Sequence, residues 1–419
     1  MQPNYPRETL RIGLLGTGFV AHFHLQALQS VRHVQVTAAY SPNPEHRARF
    51  AAEVDAAGLG PCRAFGSVDE LVGSDDIDAV WILGPNDTRL DHVRAVAAAR
   101  GTRQRPLLGV ACEKPLARNL TEAREMLRLV EAAGVNHGYL ENQVFAPAIQ
   151  RGKDIIWRRA VPASGRPYLA RAAEEHSGPH MPWFWQASKQ GGGVLLDMMC
   201  HSVEVARFLL TEPGSERTSL RLRSASANVA SLKWSQPAYA EQLRARMGAE
   251  VDYTRYPSED FARGTLVLQD ELGRDVLIET TTSWSYVGPG LRIQVELLGP
   301  EYAMEVSTLN SPLKVFLSRE VRGSEGEDLV EKQNAEQGLM PVVEDEAAAY
   351  GYSAEDRHMV EAFRSGTRPI ETFADGVGVV EILMGLYRSA ELGRGIDFSV
   401  EELDGYIPPV ARAAAATSR

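Results

Sequence analysis

Cysteine is scarce in this 419-residue chain: Cys62, Cys112 and Cys200 are scattered, odd in number and without metal-ligand spacing. That argues against a disulfide framework and leaves reduced thiols packed as small hydrophobes. An excess of positive charge is missing too. The formal net charge is −11, and no run of lysine and arginine is interleaved with aromatics. Nucleic acid and anionic membrane surfaces therefore find no positive face to bind. Apolar runs fall far short of a bilayer span, and MQPNYPRETL carries no leader-like stretch. Internal repeats and low-complexity tracts are lacking as well. These absences point to a cytoplasmic protein.

What is present is the composition of a globular protein, 44% apolar and 24% charged. The length exceeds what one ordinary core serves, so two domains are expected. LRIGLL, HVQVTAAYS, DIDAVWILG, PLLGVAC and VNHGYL read as short apolar strands separated by helix-length segments such as PEHRARFAAEVDAA. That alternation predicts a doubly wound parallel sheet over residues 1–141. From residue 142 the rhythm changes. After a helix near Phe145–Arg158, RPYLARAAEEH, SLRLRSASANVA, RGTLVLQD, RDVLIETTTSW, LRIQVELLG and PLKVFLS predict a mostly antiparallel sheet, with LQDELGRDVL as a hairpin. Helices at Ala354–Arg364 and Asp375–Leu392 complete an α+β domain over 142–419. Two polar stretches, WSQPAYAEQLRARMGAEVDYTRYP and the acidic segment around 318–350, read as surface or an active-site flap.

GTGFVA supplies Gly16, Gly18 and Ala21 in a G-x-G-x-x-A pattern, with Phe19 and Val20 between them, after a strand and at a helix start. Small residues there let the backbone approach a pyrophosphate at a helix N-terminus. The acid that usually holds the adenosine ribose of NAD is replaced by Ser41. A seryl hydroxyl can hydrogen-bond that ribose. His46 or Arg47 can reach a ribose phosphate, although a solvated helix face accounts for both. NAD is the expected cofactor and NADP the alternative.

CEKPLARN follows PLLGVAC. A residue before proline is biased to extended geometry, which places Lys114 at the strand's carboxyl end, the edge where doubly wound sheets bind ligands. Glu113 beside it is positioned to anchor the ammonium. In GGGVLLDMMCHSVEVARF, Gly191–Gly193 run into an apolar helix on which Asp197 and His201 share a face. Histidine titrates where an alcohol's proton must be taken up at neutral pH. Upstream, EEHSGPHMPWFW offers His176, His180, Trp183 and Trp185 to a sugar ring, and YLENQVF offers Glu141 and Asn142 to its hydroxyls. No metal site is expected, because the nearby histidines and acids lack ligand spacing.

Taken in order, G-x-G-x-x-A, the Pro85–Asn86 pair, EKP and GGG…D…H resemble the glucose–fructose oxidoreductase/inositol dehydrogenase (Gfo/Idh/MocA) family from Arg11 to about Phe398. The resemblance implies a nicotinamide lying over the second domain's sheet, with Lys114, Asp197 and His201 converging on the substrate hydroxyl and His201 as general base. It implies that Pro85, Asn86, Glu113 and Lys114 lie near the cofactor, that His24 and His92 flank the nucleotide fold, and that the glycines let backbone pass close to substrate. Where the family commonly shows D-x-G-x-H-x-x-D, this chain has Met199 and Glu204. Glu204 keeps a carboxylate one turn after His201 to orient its ring, and Met199 adds bulk to the pocket.

The function so implied is an NAD(P)-dependent oxidoreductase acting on a secondary ring hydroxyl of a sugar, glycoside or cyclitol. A redox-neutral NAD-dependent glycosidase, acting for example on sulfoquinovosides or galactosaminides, is the alternative. A non-catalytic dinucleotide-sensing regulator would have no need of the lysine, aspartate and histidine together. The resemblance, more than any counted feature, also implies a homo-oligomer, dimer or tetramer, joined through an exposed antiparallel sheet face. Arg171, Lys189 and Arg292 are the cations available to an anionic substituent.

Overall fold

The computed structural model describes residues 8–321, 327, 329–398 and 401–417. Contacts group the chain into two compact units. The first holds the residues up to Ala146 together with Tyr350–Val380; the second holds Pro147–Ala349 and the residues from Glu381 onward. The sequence reading drew one boundary, at 141/142. In the structure the chain leaves the first unit after Ala146 and returns to it for residues 350–380.

The first unit is built on six strands, β1 (Leu10–Leu15), β2 (Val34–Tyr40), β3 (Arg63–Phe65), β4 (Ala79–Ile82), β5 (Gly109–Glu113) and β6 (Asn136–Leu140). All pair in parallel in the order β3-β2-β1-β4-β5-β6. Strand order reverses between β1 and β4, and the crevice outside the carboxyl ends there is where such sheets take ligands. Helices α1 (Phe19–Leu28), α2 (Pro44–Ala56), α3 (Val68–Gly73), α4 (Asn86–Ala99) and α5 (Leu120–Ala133) connect the strands. Their starts follow from capping chemistry. Asn43, Ser67 and Asn119 each accept first-turn N–H groups with their side chains.

A parallel sheet covered on both faces needs unbroken apolar strands, and all of β4 (AVWI) is buried. The returning helix Tyr352–Ser365 packs on this sheet through Phe363 and Met359. A Cβ on Gly109 would stand 2.3 Å from the Phe363 ring, and one on Gly138 2.4 Å from Met359 Sδ. Those two strand glycines are therefore sockets for side chains. The sequence reading recognised this helix but assigned it to the second domain.

The second unit carries a seven-stranded sheet of β7 (Leu169–Glu175), β8 (Arg221–Ala230), β9 (Phe261–Gln269), β10 (Asp275–Ser283), β11 (Arg292–Gly299), β12 (Tyr302–Ser307) and, after the β13–β14 pair described next, β15 (Ile396–Asp397), in the order β12-β11-β7-β10-β9-β8-β15. Only β7 and β10 run parallel; the other pairs are antiparallel. Alternating burial along β11 shows one face covered and one open. The covered face receives the fully buried helix Val194–Leu210. The expected hairpin joins β9 to β10, with Gly273 in the left-handed region at φ +76.

The two polar stretches read as surface or a flap contain regular structure. Pro237 opens a helix, Pro237–Met247, as proline at a first turn often does. Within the acidic stretch, β14 (Gly338–Val342) pairs antiparallel with β13 (Leu313–Leu317). Proline and charge hid both from a reading based on apolar period.

Candidate active site

At the cofactor end, β1 delivers the chain to Gly16, whose φ of +120 and close approach to Leu83 and Gly84 admit no side chain. Gly18 is the N-cap of α1, and no side chain caps that helix or places an acid in its first turn. A Cβ on Gly18 would meet nothing within 4 Å. The start of α1 thus has no capping side chain, no first-turn acid and open space beside Gly18, which fits a pyrophosphate. Ala21 is fully buried and Phe19 is exposed. At the end of β2, Ser41 is buried and its carbonyl accepts a 3.1 Å bond from the Arg47 guanidinium, while His46 is exposed. Asn86 is buried as the first residue of α4, after Pro85 as N-cap.

Lys114 follows β5 directly and is half-buried. Its backbone N–H donates to Glu113 Oε2 at 3.0 Å, so that carboxylate braces the peptide of the lysine. The other Glu113 oxygen lies 3.2 Å from His24 Nε2, and His24 Nδ1 lies 3.0 Å from both oxygens of Asp356. Asp356 also accepts the Trp81 indole N–H at 3.0 Å. Burial opposes charge on His24, but the two carboxylates outweigh it and hold the imidazole well above its ordinary pKa. Burial likewise pushes Glu113 upward, and the contact with His24 together with the Lys114 and Arg89 charges more than reverses it. Arg89 completes the frame, donating to the carbonyls of Gly84, Glu113 and Pro115.

The sequence reading named His24 and Glu113 but missed Arg89, Asp356 and its neighbour Glu355. Glu355 is fully buried, neither of its oxygens has a hydrogen-bond partner among the described residues, and burial pushes it well above the usual carboxylate range. His92 is held near pKa 4, by burial and then by Arg89. Glu141 is fully buried, and the Asn142 amide donates to the Tyr350 carbonyl at 2.8 Å.

In the second unit, Asp197 and His201 sit in the first and second turns of helix Val194–Leu210, each only 4% exposed. The Trp284 indole N–H reaches Asp197 Oδ2 at 3.3 Å. Met199 is fully buried between them in sequence. Glu204 Oε2 lies 2.6 Å from Arg207 and its Oε1 2.8 Å from Arg217, a buried ion-paired cluster.

The glycine run is closely packed against protein groups. Gly191 is left-handed at φ +100 and ends the short helix Ala187–Gln190. A Cβ on Gly192 would lie 2.1 Å from the Tyr387 hydroxyl, and one on Gly193 2.4 Å from the Glu259 carbonyl oxygen. The second and third glycines make room for protein groups.

The PHMPWFW segment divides. Trp185 is core, 3% exposed, packed within 5.1–5.3 Å of the Trp234, Tyr253 and Trp284 rings and donating to the Pro179 carbonyl. Trp183 is half-buried and stacked on Phe184. His176 is buried, and its Nδ1 accepts from the Gly178 N–H at 2.9 Å, which puts the ring proton on Nε2. His180 is exposed and lies 2.9 Å from Glu327. Arg171 is paired with Glu279 and Glu296, and Arg292 with Glu175.

Comparison with known proteins agrees with this geometry. Residues 10–139 match the family described as "Oxidoreductase family, NAD-binding Rossmann fold", and residues 162–301 match the "GFO/IDH/MocA C-terminal domain". A 1,5-anhydro-D-fructose reductase of Ensifer adhaerens is 32% identical over 50% of this chain and 59% of its own. A myo-inositol 2-dehydrogenase of Thermotoga maritima is 27% identical over 49% of this chain and 57% of its own. The matches therefore span little more than half the length of these relatives. Among solved structures, GenD2 from gentamicin A biosynthesis, in complex with NAD, superposes with a TM-score of 0.75 at 23% identity, over 95% of this chain and 99% of its own. Levoglucosan dehydrogenase in complex with NADH gives a TM-score of 0.68 at 20% identity, over 93% and 99%. With both domain families matched in order, the chain belongs to the Gfo/Idh/MocA oxidoreductase family, its first unit being that family's NAD-binding Rossmann fold.

Proposed function

We propose that the protein is an NAD(P)-dependent dehydrogenase of a secondary ring hydroxyl on a sugar, glycoside or cyclitol. The observation that carries this reading is the helix Val194–Leu210. Burying a carboxylate and an imidazole on one helix face costs free energy that an apolar face would not. Such a placement is expected where the two groups have chemistry to perform. Relatives named as reductase and dehydrogenases of anhydrofructose and inositol support net redox chemistry over glycoside cleavage.

The Gly16–Ala21 turn and the start of α1 would hold the pyrophosphate, Ser41 and Arg47 the adenosine ribose, and Pro85, Asn86 and Lys114 the nicotinamide half. Bound nicotinamide supplies the hydride acceptor. His201 takes the proton of the substrate hydroxyl, and Asp197 favours the imidazolium that results. The Lys114 ammonium stabilises the charge developing on the substrate oxygen as its C–O bond becomes a carbonyl. Glu113, fixed by His24, holds the Lys114 backbone in place for that task. Glu141, His176 and Trp183 are the proposed contacts to further sugar hydroxyls and to a ring face.

The test is to incubate the protein with NAD, and separately NADP, and a panel of inositols, anhydrosugars, aldoses and glycosides, following reduced cofactor and freed aglycone. Reduced cofactor should accumulate with at least one polyol. His201→Ala and Lys114→Ala should each lower kcat by about 100-fold or more, the usual yield of a positioned acid or base. Unimpaired turnover in both variants overturns the reading.

We further propose a cytoplasmic homo-oligomer joined through the open sheet face, whose centre carries Ala173, Ser226, Thr265, Thr281 and Gln294 around the Arg171–Glu279–Glu296 cluster. Small side chains and charges already paired suit a flat, self-complementary contact. No described helix is long and apolar enough to cross a membrane. Light scattering at micromolar concentration that returns a monomer excludes the oligomer.

A further inference from the structure

Helix Val194–Leu210 begins at Gly193, a residue with no side chain to cap it. The first N–H groups of any helix need acceptors, and in a buried helix water cannot supply them. Here Glu259, from a distant segment, supplies most of them. Glu259 Oε1 accepts from the Gly193 N–H at 2.9 Å and from the Leu195 N–H at 3.3 Å. The Tyr387 hydroxyl donates to the same oxygen and lies 3.1 Å from the Gly193 nitrogen. The Glu259 backbone carbonyl takes the Val194 N–H at 3.0 Å. Glu259 is 4% exposed and Tyr387 3%.

This clasp also accounts for the glycines, since a Cβ at 192 or 193 would enter it. The next residue, Asp260, uses its carboxylate to accept the N–H groups of Leu232, Lys233 and Trp234. The segment presenting Glu259 is thereby fixed in its own right.

We propose that Glu259, with Tyr387, is a positioning residue for catalysis: by capping the first turn from outside, it sets the axial position and rotation of the helix bearing Asp197 and His201. The inference rests on the function proposed for those two residues. The clasp touches neither of them, so its effect passes through the backbone of a single turn to Asp197 and of two turns to His201. What it requires of position 259 is an acceptor oxygen in one place. A glutamine carbonyl meets that requirement, and an alanine does not.

The test compares Glu259→Gln, Glu259→Ala and Tyr387→Phe with Asp197→Asn and His201→Ala, using the polyol that supports turnover in the panel above. Glu259→Gln should keep kcat within about twofold, because all three donors retain a partner. Glu259→Ala should lower kcat by about tenfold or more with NAD affinity unchanged, the cost of a misplaced catalytic group. Hydrogen exchange at the Gly193 and Leu195 amides should quicken by about tenfold in the alanine variant and hardly at all in the glutamine one. A purely structural role would lower Tm and leave kcat, read well below Tm, unchanged.

If Glu259→Ala does not fold, Tyr387→Phe carries the test. It should lower kcat about threefold and speed exchange at Gly193, since it removes one donor to Glu259 and one acceptor of the Gly193 N–H while the Glu259 carboxylate stays in place. Wild-type kcat in folded Glu259→Ala, equal impairment of the alanine and glutamine variants, or no change in Tyr387→Phe overturns the proposal. Full turnover in Asp197→Asn and His201→Ala instead overturns the function on which it rests, and the exchange data then report the cap alone.

Discussion

Trp284 donates its indole N–H to Asp197 Oδ2 across 3.3 Å, and both side chains are buried. Trp284 is in turn held from two sides: its carbonyl accepts the Trp234 indole N–H at 2.8 Å, and its ring packs 5.1 Å from Trp185. A buried carboxylate takes its orientation from such donors. Trp284→Phe keeps an aromatic ring and deletes the donor. It should lower kcat about five- to thirtyfold, equivalent to about 1–2 kcal/mol, with a smaller change in KM. Steady-state kinetics beside a thermal melt separate this from a loss of fold.

His24 is a buried cation between Asp356 and Glu113. Its pKa in the folded state lies well above the ordinary 6.5. A raised pKa means that the stabilisation is full below pH 6.5 and disappears as pH rises through the folded-state value. His24→Gln leaves two carboxylates without their cation and should cost about 3–5 kcal/mol at pH 6. The gap between wild-type and variant stability should narrow as pH rises through the folded-state value. Chemical denaturation across pH measures it, and a gap that does not change with pH shows His24 to be neutral.

Gly18 isolates the cofactor from the fold. Its φ is −87, ordinary for any residue, and a Cβ there meets nothing within 4 Å. Gly18→Ala should therefore leave Tm where it is, because no protein atom is displaced. A methyl group at the mouth of α1 should still weaken NAD binding about tenfold or more by keeping the pyrophosphate from the N–H groups. Calorimetric titration with NAD reads this directly. Unchanged affinity removes the pyrophosphate from this turn.

Much of the fold was legible because most strands of the first unit are apolar runs bounded by turn residues, and because GTGFVA, EKP and GGG…D…H mark strand and helix ends; β3, RAF with two of its three residues exposed, gave no such signal. The roles of individual residues were less legible. Glu204 stands one turn from His201 in sequence, yet Arg207 and Arg217 claim it, and Arg217 lies beyond the helix in a segment that carries no period. Glu259 and Asp260 look like surface acids at the end of a polar stretch. Their importance comes from N–H groups that only the folded chain brings to them. Side chains that satisfy backbone leave no sequence pattern, because what they recognise is not a side chain.

Trp183 and Trp185 were indistinguishable in the sequence and differ in the structure, so substitution should separate them. Trp185 is enclosed by three aromatic rings and a carbonyl. Trp185→Ala empties that site and should cost about 3–5 kcal/mol of stability. Trp183 is half-buried, with one face on Phe184. Trp183→Ala should leave Tm within a few degrees, since little packing is lost. If its ring meets a sugar face, KM for the carbohydrate should rise about tenfold with kcat and NAD affinity unchanged, the pattern of a lost ground-state contact. An unchanged KM moves the sugar platform away from Trp183. A fall in kcat alone makes its loop part of the chemical step.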